Sequence, residues 1–270
     1  MPSEITDDKI GYNHYITGNN EMERETVMEM QKTSERTTIH LPQGTLDFHR
    51  PLPERARLLV LGGRAPAVPW LQAWRQAWPS ADVYAVDHGV DACRRVGLSP
   101  TLLIGDADSA APENWRWGEA RAARVERHPV EKDFTDTQLA LRRAAEGGPA
   151  VLLLTGAFGG RFDHAYSTIF SAAQVQAPCV LADEREFVTY VHGGERLTVA
   201  FRQRPKALSL LPMTTEAEGV TLHGTHWPLT DATLRQGQPN AVSNVVEEGT
   251  DRCMLDVREG CVALYACWEE

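Results

Sequence analysis

Between Arg57 and Asp183 the chain alternates continuous apolar stretches with amphipathic ones, and that rhythm limits its fold more than any other feature. The stretches "RLLVLGG", "DVYAVD", "TLLIGD", "ARVERHPV", "AVLLLTG" and "PCVLAD" read as strands. Between them "AVPWLQAWRQAW", "VDACRRVG", "DTQLALRRAAEGG" and "DHAYSTIFSAAQVQ" read as helices. A strand without polar alternation is buried on both faces, which calls for a parallel sheet covered by helices on each side. Trp70, Trp74 and Trp78 recur at helical spacing and belong to the core. Near Asp183 the rhythm changes to short strands parted by Gly, Pro and charged turns: "EFVTYV", "ERLTVAF", "KALSLLPM", "GVTLHG", "AVSNVV", "RCMLDV" and "CVALYACW". The expected fold is therefore α/β over residues 51–183, a mostly parallel sheet with helices on both faces, followed by an all-β sandwich over 184–270. Residues 1–50 are polar and rich in Glu and Thr. They read as a flexible extension in which "EMERETVMEMQKTSE" could form a short helix.

At 270 residues with 42% hydrophobic side chains, the chain can bury a core in each of two domains. Its formal net charge of −10 argues against a basic nucleic-acid surface, so an anionic substrate would need metal ions or a local group of Lys and Arg. No apolar run reaches the roughly 20 residues of a membrane span, and the N-terminus lacks a signal-peptide pattern. Cys93, Cys179, Cys253, Cys261 and Cys267 are an odd set with no C-x-x-C pair. They are expected to be free thiols in the cytoplasm, neither zinc site nor disulfide frame.

Ligands of an open parallel sheet collect beyond the carboxyl ends of its strands. Four successive strand ends carry suspicious residues there: Asp87, then Asp106 and Asp108, then Lys132, Asp133 and Asp136, then Gly156, Gly159, Gly160, Arg161 and Asp163. Capping is an alternative for each aspartate: Asp106 for a turn, Asp108 before "PEN", Asp136 for "TQLALRRAAE", and Asp163 for the helix after the glycines. Capping does not account for their concentration. Two like charges about 4 Å apart repel by roughly 4 kcal/mol at an effective dielectric near 20, so several on one rim call for a cation. Oxygen-only donors favour magnesium over zinc, and their number allows one ion or two. "TGAFGGRFDH" is neither a P-loop nor a dinucleotide fingerprint, yet its glycines can bring backbone amides to an anion at a helix start. Arg161 and Lys132 add positive charge. Acidic rim and basic residues together describe a metal–polyphosphate site.

"VDHGVDACRRVGLSPTLLIGDADS", "HPVEKDFTDTQLAL" and "LTGAFGGRFDH" resemble, in order and spacing, the signature segments of the thiamine pyrophosphokinase family. "ALSLLPM", "GVTLHGTHWPL" and "VSN" resemble its C-terminal pattern, and the likeness covers about residues 57–267. The resemblance implies a homodimer, with sites at the subunit interface, that moves pyrophosphate from ATP to the hydroxyethyl group of thiamine, giving thiamine diphosphate and AMP. It implies magnesium held by Asp106, Asp108 and Asp136, with Asp87 a further acid of the catalytic set. Lys132, Asp133, Thr135, Gly159, Gly160, Arg161 and Asp163 match ATP- and phosphate-binding positions, and Ser243, Asn244 and Trp227 match the thiamine region. A hydroxymethylpterin acceptor, or nucleotide and thiamine binding without turnover, are the alternatives. Two positions depart from the family pattern: His88 follows Asp87 where Gly or Arg is usual, and Ala107 stands where a bulkier Phe is common.

Overall fold

A computed structural model describes residues 36–238 and 240–269 of the chain. The helix expected within 21–35 lies outside the described residues. Strands β3 (Ala56–Val60), β4 (Asp82–Val86), β5 (Leu102–Gly105), β6 (Arg124–Arg127), β7 (Val151–Thr155) and β8 (Cys179–Ala182) alternate with helices α1 (Val68–Ala77), α2 (Gly89–Arg95), α3 (Pro112–Glu119), α4 (Asp136–Glu146) and α5 (Phe162–Ala173). These six strands are parallel and stand in the order β8-β7-β3-β4-β5-β6. The chain winds outward from β3 to β6, then returns through α4 to β7 on the other side of β3. That reversal lies at β3, the place along such a sheet where ligands collect beyond the carboxyl ends of the strands.

The two windings put helices on opposite faces. Trp70, Leu71 and Trp74 of α1, Val90 and Cys93 of α2 and Trp115 of α3 pack in one apolar cluster. Ala140, Leu141 and Ala144 of α4 pack with Ala172 and Ala173 of α5 in the other. The tryptophan stripe is core as expected, with the Trp70 and Trp74 rings 4.7 Å apart. All five cysteines are buried free thiols, and burial raises Cys93 and Cys253 to about 12. No helix among the described residues is long and apolar enough to cross a membrane.

The rest of the chain is β structure: β9 (Glu186–His192), β10 (Glu195–Phe201), β11 (Ala207–Pro212), β12 (Glu216–His223), β13 (Leu229–Arg235), β14 (Arg252–Val257) and β15 (Cys261–Cys267). Strands β9, β15 and β11 extend the parallel sheet beyond β8 to nine strands, joined antiparallel. The remainder form a second, antiparallel sheet in the order β1-β2-β10-β14-β12-β13, where β1 is Thr38–Leu41 and β2 is Gly44–Asp47. The two sheets enclose an apolar layer continuous with that under α1–α3, since Leu197, Val199, Leu255 and Trp74 belong to one cluster.

Three expectations about boundaries change. Residues 36–50 do not belong to an extension: β1 and β2 form a hairpin, and β2 pairs with β10 from Thr198↔Asp47 to Phe201↔Gly44. Ile39 and Leu46 are fully buried there, an apolar alternation too short to stand out among polar neighbours. Position 183 marks where the helices end, not where the sheet ends, because β8 pairs with β9 across it. "AVSNVV" is not a strand; its ladder contacts are single bridges at Asn244 and Val246.

Candidate active site

The carboxyl ends of β3, β4, β5, β6 and β7 surround a cavity of about 720 Å³. Asp87, Asp106, Asp108, Lys132, Asp133, Thr135, Asp136, Gly159, Gly160 and Arg161 all line it. At its floor, oxygens of Asp87, Asp106 and Asp136 lie within 4.8 Å of one another. Three separate strand ends, β4, β5 and the start of α4 after β6, thus bring three acids to one point.

Local structure explains how each carboxylate is held there. Asp87 has a left-handed backbone (φ 49°), a conformation uncommon for a side chain other than Asn, Asp or Gly. Its Oδ2 accepts a hydrogen bond from the Ser109 hydroxyl at 2.5 Å. Gly105 lets the β5 end pass close by, since a Cβ there would sit 3.0 Å from the Asp87 Cα. Asp106 Oδ1 accepts from the Asp108 amide at 3.2 Å, closing a tight turn around Ala107, which is itself left-handed (φ 68°). Ala107 packs partly buried against the core. Thr135 caps α4 in a reciprocal box: its hydroxyl accepts from the Gln138 amide at 3.2 Å, and its own amide donates to Gln138 Oε1 at 3.0 Å. The capping alternative for Asp136 therefore does not hold. Thr135 does that work, so its hydroxyl is committed to the helix while the Asp136 carboxylate is left to face the cavity.

Asp108 and Asp163 are not side-chain caps either, for Ala111 and Arg161 occupy the cap positions of α3 and α5. Asp108 stands exposed on the solvent side of Asp106 and outside the close triad, whose third member is Asp87. Its carboxyl is pushed above the usual range by hydrogen bonding to Asp106 and by that group's charge. Burial raises Asp87 as well, against the Ser109 hydrogen bond, and the charges of Asp106 and Asp136 add to the rise. Burial would raise Asp106 too, but hydrogen bonds from Asp108 and Lys132 outweigh it and hold that carboxyl low.

The positive residues divide. Lys132 reaches into the cluster, its Nζ 3.1 Å from Asp106 Oδ2 and 3.2 Å from Asp136 Oδ2. Arg161, on the exposed rim, pairs with Asp163 at 2.6 Å. His88 lies on the cavity wall with Nδ1 3.0 Å from the Ser109 carbonyl. Sequence reasoning passed over Ser109, the Gly62–Gly63 loop after β3, and the apolar rim of Val130 and Phe134. The glycine pair ending "RLLVLGG" was the available signal for the loop. Gly63 abuts the carbonyls of Gly156 and Phe158, which seats the β3 and β7 loops against each other.

A divalent cation fits this donor set. Asp87 Oδ1 and Asp136 Oδ1 are buried oxygens without hydrogen-bond partners, and Lys132 already places a cation between two of the acids. The expected thiamine residues meet elsewhere, in the β layers. Asn244 is buried and clips the Trp227 backbone, accepting from its amide at 3.2 Å and donating to its carbonyl at 2.7 Å. The Trp227 ring stays 59% exposed. Neighbouring Ser243 is exposed and left-handed (φ 60°), its amide donating to Ser209 Oγ.

Comparison with known proteins agrees with both halves. Residues 74–181 match the family model "Thiamin pyrophosphokinase, catalytic domain", and residues 196–262 match "Thiamin pyrophosphokinase, vitamin B1 binding domain". Thiamine pyrophosphokinase of Bacillus subtilis (strain 168) is 27% identical over 162 residues, covering 59% of this chain and 75% of that protein. Thiamine pyrophosphokinase 1 of Oryza sativa subsp. japonica is 24% identical over 171 residues, covering 60% of this chain and 65% of the relative. Among solved structures, a thiamin pyrophosphokinase family protein from Enterococcus faecalis superposes with a TM-score of 0.65 at 25% identity, over 80% of this chain and all of that one. The Bacillus subtilis enzyme superposes with a TM-score of 0.67 at 21% identity over the same shares, a likeness of fold. Two family models in tandem, on the cavity-bearing half and the β layers in turn, show that this chain belongs to the thiamine pyrophosphokinase family.

Proposed function

We propose that the protein transfers the pyrophosphoryl group of ATP to the hydroxyethyl group of thiamine, forming thiamine diphosphate and AMP. The observation that carries this reading is the Asp87–Asp106–Asp136 cluster, set in a cavity large enough for a triphosphate, within a chain whose other half matches a vitamin B1 binding model. Transfer to phosphorus asks a protein mainly for positioning and charge stabilisation. Asp106 and Asp136, with Asp87 behind and Asp108 on the solvent side, would hold magnesium. When bound, magnesium offsets phosphate charge and orients the phosphate oxygens. Arg161 and Lys132 supply donors for the remaining oxygens. Glycines 159 and 160, both left-handed, keep the approach to the start of α5 free of side chains. The exposed Trp227 ring offers a face to the cationic thiazolium.

Every residue lining the cavity falls between 61 and 168, whereas the thiamine candidates lie at 227–244. We assign the missing half of each site to a second copy of the chain. The five free thiols support a reducing compartment such as the cytoplasm.

AMP release is the direct test. Protein, ATP, magnesium and thiamine should give AMP, and removal of magnesium with a chelator should stop it. Release with a hydroxymethylpterin instead of thiamine would overturn the acceptor. Shared sites predict that mixing Asp106→Asn with Trp227→Ala, assayed at thiamine too dilute for the second variant to turn over well, raises activity above either alone through mixed dimers. No recovery after subunit exchange would assign each site to one chain.

A further inference from the structure

Lys132 stands between Asp106 and Asp136, two of the acids proposed to hold a divalent ion. The Nζ contacts one oxygen of each, at 3.1 and 3.2 Å, and donates to the Pro129 carbonyl at 3.1 Å. Two of these contacts are hydrogen bonds, to Asp106 and Pro129, and the third is an ion pair with Asp136. The cluster is not equally satisfied. Three carboxylates face one positive charge, and Asp87 Oδ1 and Asp136 Oδ1 remain buried without partners. An ammonium and a metal ion set between the same two carboxylates compete for one position, because the Nζ already fills the gap that magnesium, binding carboxylate oxygen at about 2.0–2.1 Å, would need. Their like charges would also repel strongly at such a separation.

The surroundings allow exchange. Lys132 lies in the stretch between β6 and α4, which has no regular secondary structure. The far end of that stretch is fixed by the Thr135 capping box and by Arg142 stacked over the Phe134 ring at 3.6 Å. The backbone is thus anchored next to α4, while a flexible four-carbon side chain on the cavity wall can swing. We propose that Lys132 is an exchangeable counter-ion. It neutralises Asp106 and Asp136 in the metal-free protein, leaves when a divalent ion enters, and carries its charge to the phosphate oxygens that accompany the ion. This rests on the metal–polyphosphate reading of the cavity. It adds a coupling: metal alone must displace an ion pair, whereas metal with nucleotide gives the displaced ammonium a new partner. Binding of each therefore strengthens the other, reciprocally.

Two measurements on the full chain test this. The first is Mn²⁺ affinity by electron paramagnetic resonance, for the unaltered protein and Lys132→Met, with and without a non-hydrolysable ATP analogue. Without nucleotide the variant should bind Mn²⁺ at least about tenfold more tightly, and the advantage should vanish with the analogue present. The second follows the side-chain ammonium resonance of Lys132, one of only four lysines in the chain, as Mg²⁺ is added to the unaltered protein. It should leave its starting position on saturation and move again with the analogue. Equal Mn²⁺ affinities, or a resonance unmoved in Mg²⁺-saturated protein, would overturn the exchange and leave the metal reading standing. Absence of Mn²⁺ binding in the unaltered protein would remove both. Should Lys132→Met fail to fold, the resonance decides alone.

Discussion

Arg64, after β3, reaches Asp183, after β8, and Glu186; Lys132, after β6, reaches Asp106, after β5, and Asp136. The two clusters share one sheet and one kind of chemistry, yet differ in how far their oxygens are satisfied. Asp183 is fully buried and accepts four hydrogen bonds, from the Arg185 and Glu186 amides and from Arg64 Nε and Nη2. Glu186 accepts from Arg64 and from the Tyr265 hydroxyl, and Gln43 ties the β1–β2 hairpin to the Asp183 carbonyl. Nothing there is left over for a ligand. In the Asp106 cluster two buried oxygens have no partner, two backbone positions are left-handed, and the charges do not balance. A saturated network holds shape, and an unsaturated one at a cavity is open to chemistry.

The comparison breaks most visibly in turnover. Asp106→Asn or Asp136→Asn should lower AMP formation by about a thousandfold without lowering the melting temperature. An Arg64 variant should do the reverse. Arg64→Ala strands the Asp183 carboxylate and should cost about 3–5 kcal/mol in urea unfolding, with turnover per folded molecule retained. Lost turnover at unchanged stability would move Arg64 into the reacting site. In the β layers, Trp227→Ala should weaken thiamine binding by about tenfold in calorimetry while leaving the ATP analogue's affinity as it was. The smallest effect sharpens the contrast through pH. Because burial raises Asp87's folded pKa, its contribution to stability is present below the unfolded carboxylate pKa and is lost as pH rises through the folded value. At neutral pH the charge opposes the metal-free fold, so Asp87→Asn should raise the melting temperature by about 1–3 °C there, and by less in acid.

Much of this was legible in the sequence because it depends on local pattern. Continuous apolar strands announce burial on two faces, so the parallel sheet, its helices and the gathering of strand ends could be read directly. Which acids form the close triad could not. Asp87 enters through a left-handed turn and the glycine at 105, and Asp108 faces solvent because the turn around Ala107 points it there; both are matters of backbone conformation, not residue type. Thr135 reads equally as a phosphate ligand or a cap until Gln138 closes the box. The Arg64–Asp183–Glu186 network joins positions more than a hundred residues apart, and the β1–β2 hairpin meets β10 across a similar span, pairings that no local periodicity encodes.

The proposed reaction depends on a divalent ion that joins acids from separate strand ends. Its most direct test is anomalous diffraction from crystals grown with Mn²⁺ and a non-hydrolysable ATP analogue. A Mn²⁺ peak bonded to both Asp106 and Asp136 is expected, with the analogue's phosphates beside it and Lys132 turned toward them. A peak elsewhere, with Lys132 still seated between those two carboxylates, would contradict it.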